Sequence, residues 1–178
     1  KPTIAAIKLC DAYRRQYGSD FISAMPTNLY GPNDNFDLES SHVIPALIAK
    51  MAKAKDTGAS EFVVWGTGTP RREFLHVDDC ADALVYLMTH FSGEGPVNVG
   101  TGEDMTIAEL AELIARIVKF QGRIIYDRSR PDGSPRKLVD VSRLTALGWT
   151  ARIPLVDGLR STYDWYREHA ATARAVAL

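Results

Sequence analysis

The sequence is poor in the features that would assign it to most specialised classes. It has two cysteines, Cys10 and Cys80, far apart and both in helix-like apolar contexts. That pattern excludes a disulfide scaffold and predicts two reduced, buried core residues. No apolar run approaches the roughly 20 residues needed to span a bilayer, and no signal peptide opens the chain. Lysine and arginine (21) almost balance aspartate and glutamate (22), for a net charge of −1. No electrostatic footprint for nucleic acid or an anionic membrane results. No cluster of metal-ligand spacing stands out, so no metal is expected. A soluble cytoplasmic protein is the reading these absences leave. The sequence also lacks a G-x-G-x-x-G turn, of which Gly66-Thr67-Gly68 is only a faint echo.

What is present is a chain of 178 residues, long enough for about one domain, with 46% hydrophobic and 24% charged residues. Helical and extended patterns alternate along it. Helical spacing is read over residues 4–17, stopped by Gly18, then over 42–54, from Asp78 or Asp79 to about Leu87, from Thr106 onward, over 141–147 and over 155–168. Extended stretches are read at 20–27, 61–65, 73–77, 96–100 and 123–126. Ala81, Leu84, Val85 and Met88 are taken as the core face of the third helix. Thr106 with Glu109 forms a capping-box signature. Residues from Ala170 onward are expected to fray. Alternation of this kind predicts an α/β fold with parallel pairing, and no linker divides it.

Within that pattern the stretch MPTNLYGPNDNF at 25–36 is unusual, because a core strand runs into a hydroxyl, an amide and a phenol. Strand-end loops are where α/β proteins bind ligands. A plain turn after a strand also explains Pro-Thr-Asn. His42 follows two serines and precedes an apolar helix. Its imidazole therefore lies near the positive end of a helix dipole, where the uncharged ring is favoured and can exchange a proton. Arg71 and Arg72 follow a Gly-Thr-Gly-Thr-Pro turn, and a guanidinium fork suits diphosphate oxygens. Trp65 ends its strand beside that turn, either as core or as a stacking surface. Lys50 lies about two helical turns beyond His42 on a similar face. Asp132, within Pro-Asp-Gly, explains itself as a turn residue. His76, His90 and His169 read as structural or surface residues.

IKLCDAYRRQYG (7–18), MPTNLYGPNDNF (25–36), SHVIPALI (41–48), VVWGTGTPRREFLHVDD (63–79), NVGTG (98–102) and RPDGSPRKLVDVSRL (130–144) occur in this order. In these motifs the sequence resembles the GDP-L-fucose synthase family of extended short-chain dehydrogenase/reductases, from about residue 4 to residue 166. The resemblance implies the C-terminal half of such an enzyme: the last part of a Rossmann-type doubly wound fold plus a smaller substrate-binding domain, all within residues 1–178. It implies NADP(H) as cofactor, touched at its nicotinamide end by Pro26, Thr27, Asn28 and Leu29, with His42 both near the cofactor and a candidate general acid. It implies a GDP-sugar substrate held by Lys50, Trp65, Arg72 and Asp132, and a homodimer in the full-length enzyme. It further implies that the Gly-rich turn, a Ser, a Cys and the Tyr-x-x-x-Lys pair lie before this chain. Counted back from IKLC, the Lys position carries Thr3, and Cys10 is not the family's catalytic Cys. The family reaction epimerises GDP-4-keto-6-deoxymannose beside its keto group and reduces it there.

Overall fold

The computed structural model describes residues 2–37 and 40–169, so the expectation of fraying from Ala170 lies outside the described residues. Helix α1 (Pro2–Tyr17) ends where Gly18 turns to a φ of 67° and donates its N–H back to the Arg14 carbonyl. Strand β1 (Ser23–Pro26) follows. Here the structure corrects one expectation: the chain does not enter an open loop after Pro26, because Asn28–Tyr30 forms a second strand, β2. Thr27 is the hinge between them, donating its N–H to the Val99 carbonyl. The chain thus changes partners within three residues.

Helix α2 (Val43–Asp56), strand β3 (Glu61–Trp65), strands β4 (Arg71–Arg72) and β5 (Phe74–His76), and helix α3 (Val77–His90) come next. They are followed by β6 (Pro96–Val99), β7 (Met105–Thr106), α4 (Ile107–Val118), β8 (Arg123–Asp127), β9 (Arg136–Lys137), α5 (Ser142–Ala146) and α6 (Leu155–His169). Three parallel pairs organise the molecule: β1 with β6, β2 with β5, and β3 with β8. Strand β4 sits between β7, antiparallel, and β9, parallel. The α/β reading with parallel pairing therefore holds.

The extended piece expected at 73–77 is strand β5 over Phe74–His76 only, since Val77 already begins α3 and Glu73 separates β5 from β4. The Glu73 side chain is fully buried, and its carboxylate accepts the N–H groups of Thr101 (2.7 Å), Gly102 (2.8 Å) and Val139 (3.0 Å). A buried carboxylate needs such donors, and collecting them ties three segments together.

Helix α3 departs from expectation twice. Strand β5 runs into it without a loop, so the cap is His76, whose Nδ1 accepts the Asp78 N–H (3.2 Å), and not Asp78 or Asp79. Asp79 points inward and accepts from the backbone of Arg152 and Ile153. That anchor rotates the helix so that Asp79, Cys80, Ala83 and Leu87 are buried, while Leu84, Val85 and Met88 face outward. Both cysteines are free; Cys80 is buried as expected, whereas Cys10 is only half-buried.

Helix α4 follows its sequence closely. Thr106 Oγ1 accepts the Glu109 N–H (3.1 Å) while Glu109 Oε2 accepts the Thr106 N–H (2.7 Å). Leu110, Ile114 and Val118 on α4 pack with Ile44, Ile48 and Met51 of α2 and Leu159 of α6 to form one core. A second core gathers Leu75, Cys80, Ala83, Leu87, Val97, Val99 and Trp149.

Candidate functional site

The switch at Thr27 places polar groups at the carboxyl end of β1 against the start of α2. Thr27, Asn28, Leu29, Asp34 and His42 line a hollow of about 660 Å³, a size suited to part of a cofactor. Pro26 lies on the other side of Thr27, where a shallower cleft meets Lys137 and Val139. Asn28 is held in place: its Nδ2 donates to the Glu73 carbonyl (2.7 Å). Its Oδ1 remains for a ligand donor. His42 is the N-cap residue of α2, with an exposed side chain that makes no capping hydrogen bond. Asp34 was not singled out by sequence. Its carboxyl is held above the ordinary aspartate range chiefly by burial, opposed by the Asn35 N–H and by His42. The run Asn33-Asp34-Asn35 inside the conspicuous stretch was the available signal.

A second hollow of about 240 Å³ shares Asn28 and Val43 with the first and adds Trp65, Arg72 and Asp132. Of the expected substrate residues, Trp65, Arg72 and Asp132 thus lie beside the expected cofactor residues, while Lys50 lines neither hollow. Trp65 is 64% exposed, so it is a surface platform and not core. Lys50 Nζ lies 4.9 Å from its ring centre. The two arginines differ in state. Arg71 donates from Nε to Asp104 (2.7 Å) and from Nη2 to the Asp104 carbonyl (2.9 Å). Arg72 donates from Nη1 to the Arg71 carbonyl (2.7 Å), and no carboxylate among the described residues pairs with it. A guanidinium without a counter-charge facing a hollow can receive an anion. Asp132 accepts from Thr67 twice, through the hydroxyl (2.7 Å) and the N–H (2.9 Å). Those two bonds hold its carboxyl below the ordinary range, so it is an anion that a ligand must share with Thr67.

None of the other histidines lines these hollows. His76 caps α3, His90 stacks on Tyr86 at 3.9 Å, and His169 stacks on Trp165 at 4.5 Å. Among the described residues no group of side chains could hold a metal ion, and no helix is long and apolar enough to cross a membrane.

Parallel strands feeding helices, with polar walls gathered at the strands' carboxyl ends, define an α/β protein of the Rossmann type. Residues 3–100 match the NAD dependent epimerase/dehydratase family, and the chain belongs to it. It is 60% identical over 163 residues to GDP-L-fucose synthase 1 of Arabidopsis thaliana, covering 92% of this chain and 50% of that protein. It is 53% identical to GDP-L-fucose synthase of Escherichia coli K12, covering 93% of this chain and 54% of that one. Among solved structures, the GDP-L-fucose synthetase of Naegleria fowleri bound to NADP superposes with a TM-score of 0.87 at 32% identity, over 96% of this chain and 55% of that one. The chain spans about half the length of the curated relatives it matches.

Proposed function

We propose that this chain is the substrate-binding half of a GDP-L-fucose synthase, which converts GDP-4-keto-6-deoxy-D-mannose to GDP-L-fucose with NADP(H). One observation carries the reading: Asn28 and Val43 belong to both hollows, so a keto sugar between them would reach His42 on one side while its nucleotide reaches Arg72 on the other. NADP(H) bound along Pro26–Leu29 and His42 would supply the hydride. The fit is supported at the nicotinamide end, where Asn28, fixed through its Nδ2 to the Glu73 carbonyl, lines the hollow.

In this reading His42 moves a proton at a carbon next to the keto group. Such a proton is removable because the carbanion becomes an enolate. Arg72 and Lys50 hold the diphosphate, Trp65 forms the wall beside it, and Asp132 accepts from ribose or base. Nothing in the 178 residues supplies a Tyr-x-x-x-Lys pair or a Gly-rich turn, so this chain by itself is expected to give no turnover. The active enzyme would be cytoplasmic and a homodimer. The outward Leu9, Tyr13 and Tyr17 of α1 supply an apolar face for that pairing.

The test is calorimetric titration of the 178-residue chain with GDP-mannose and, separately, with UDP-glucose. Saturable binding that prefers the GDP-sugar by tenfold or more supports the reading. Equal affinity, or none for the GDP-sugar, overturns it.

A further inference from the structure

Arg130 is not among the residues that the sequence brought forward, yet its guanidinium carbon lies 5.0 Å from the centre of the Trp65 ring. Lys50 Nζ lies at 4.9 Å from the same centre. Two cations on one exposed indole are mutually repulsive, and water would normally draw both away. An anion between or beside them removes that repulsion.

The segment that carries Arg130 is built to stay in place. Strands β3 and β8 pair Trp65 with Asp127, and Gly66 donates its N–H to the Asp127 carbonyl (2.9 Å). The turn closes when the Arg130 N–H reaches that carbonyl (3.2 Å). Asp127 Oδ1 is taken by the Ser129 N–H (3.0 Å) and hydroxyl (2.6 Å). Its other oxygen is 3.8 Å from Arg130 Nε, beyond hydrogen-bond range. Two residues on, Asp132 is fixed to Thr67. A Cβ added at Gly133 would stand 3.0 Å from Arg72 Nη2, so the loop passes directly against the second substrate arginine. Residues 127–133 therefore form a wall touching both Trp65 and Arg72. Arg130 is seated on that wall with its guanidinium donors unspent on any hydrogen bond among the described residues, the Asp127 carboxylate being an ion-pair partner at 3.8 Å. A guanidinium lying on an indole is partly desolvated by an apolar surface and keeps its in-plane donors.

Resting on the nucleotide-sugar reading above, we infer that Arg130 is a further binding residue of this site, donating to the phosphate oxygens of a nucleoside diphosphate from its seat on Trp65. Trp65 then acts by holding Arg130 and Lys50 in position, and not by stacking on the base.

The test titrates wild-type chain, Arg130→Ala, Arg130→Lys and Arg128→Ala with GDP and with guanosine, which carries no phosphate. Arg128 is exposed on the same loop and serves as the control. The expected result is a loss of about tenfold in GDP affinity for Arg130→Ala, no change with guanosine, and wild-type behaviour for Arg128→Ala. Arg130→Lys keeps the charge and the loop but not the flat contact, and should recover part of the loss. Wild-type GDP affinity in Arg130→Ala overturns this inference and leaves the nucleotide-sugar reading standing. Equal losses for GDP and guanosine also overturn it, since Arg130 would then only shape the loop. Failure of the wild-type chain to bind GDP overturns both.

Discussion

Around β3 and β8, helices α2, α4 and α6 close over the strands, whereas beside β1 and β6 helices α1 and α3 leave apolar side chains in water. Nine of the twelve large exposed hydrophobic residues among those described belong to α1, α3 or Phe21. The first region contributes only Val63 and Trp65 to that set, and Trp65 lies in the candidate site. Both regions begin from the same unit, a parallel strand pair with helical connections. They differ in how many elements return to cover it. Parallel strands are normally buried on both faces, and here the helices on one side leave apolar residues uncovered. A helix can therefore form and pack along one stripe while its second apolar stripe awaits a partner.

Four experiments test that contrast, in order of decreasing effect. Leu110→Ala, in the closed core at zero exposure, should lower stability by about 2–5 kcal/mol, whereas Val85→Ala, 64% exposed on α3, should change it by no more than about 0.5 kcal/mol. Urea titrations of both variants decide this, and similar losses would mean that the α3 face is covered in solution. Next comes ligand affinity. Arg72→Ala should weaken GDP binding at least roughly tenfold, about 1.4 kcal/mol, while Arg71→Ala, whose guanidinium is committed to Asp104, should change it only slightly. Calorimetry giving equal losses would show that Arg71 also faces the ligand.

Third in size, Thr106→Ala removes one arm of the capping box and should cost about 1 kcal/mol in a thermal melt. The last experiment varies pH. Hydrogen bonds first from Arg136 and then from Arg71 hold the Asp104 carboxyl below its ordinary value of 3.8. Its stabilisation of the β7–β4–β9 sheet is thus complete above that value and lost as pH falls through the lower folded value. Far-ultraviolet circular dichroism should show an acid transition below pH 3.8, weakened in Asp104→Asn. An unchanged transition in that variant would place the acid-sensitive group elsewhere.

Legibility in the sequence followed locality. Helix α4 was readable because its cap and its apolar stripe both come from residues three or four apart. Helix α3 was misread because its rotation depends on Asp79 finding the N–H groups of Arg152 and Ile153, more than seventy residues away. The same holds for MPTNLYG: the sequence signals a break at Pro26, but only pairing with Phe74–His76 turns Asn28–Tyr30 into a strand. Arg71 and Arg72 look alike as letters. The family resemblance separated them by giving Arg72 as the substrate residue, and the structure attaches Arg71 to Asp104. Asp34 had its polar neighbours Asn33 and Asn35 as a sign, whereas Arg130 carried none that set it above other charged loop residues.

The α/β alternation, the balanced charge, the two cysteines without a disulfide and the motifs that tie the chain to its family are all readable in the linear order of residues. These follow from composition and from spacing along the chain, which need no knowledge of distant partners. Tertiary structure alone decided which arginine is left without a carboxylate, which face of α3 is wet and which cations meet over Trp65. Each of those depends on a hydrogen bond or ring contact between residues distant along the chain, and such pairings exist only once the strands have chosen their neighbours.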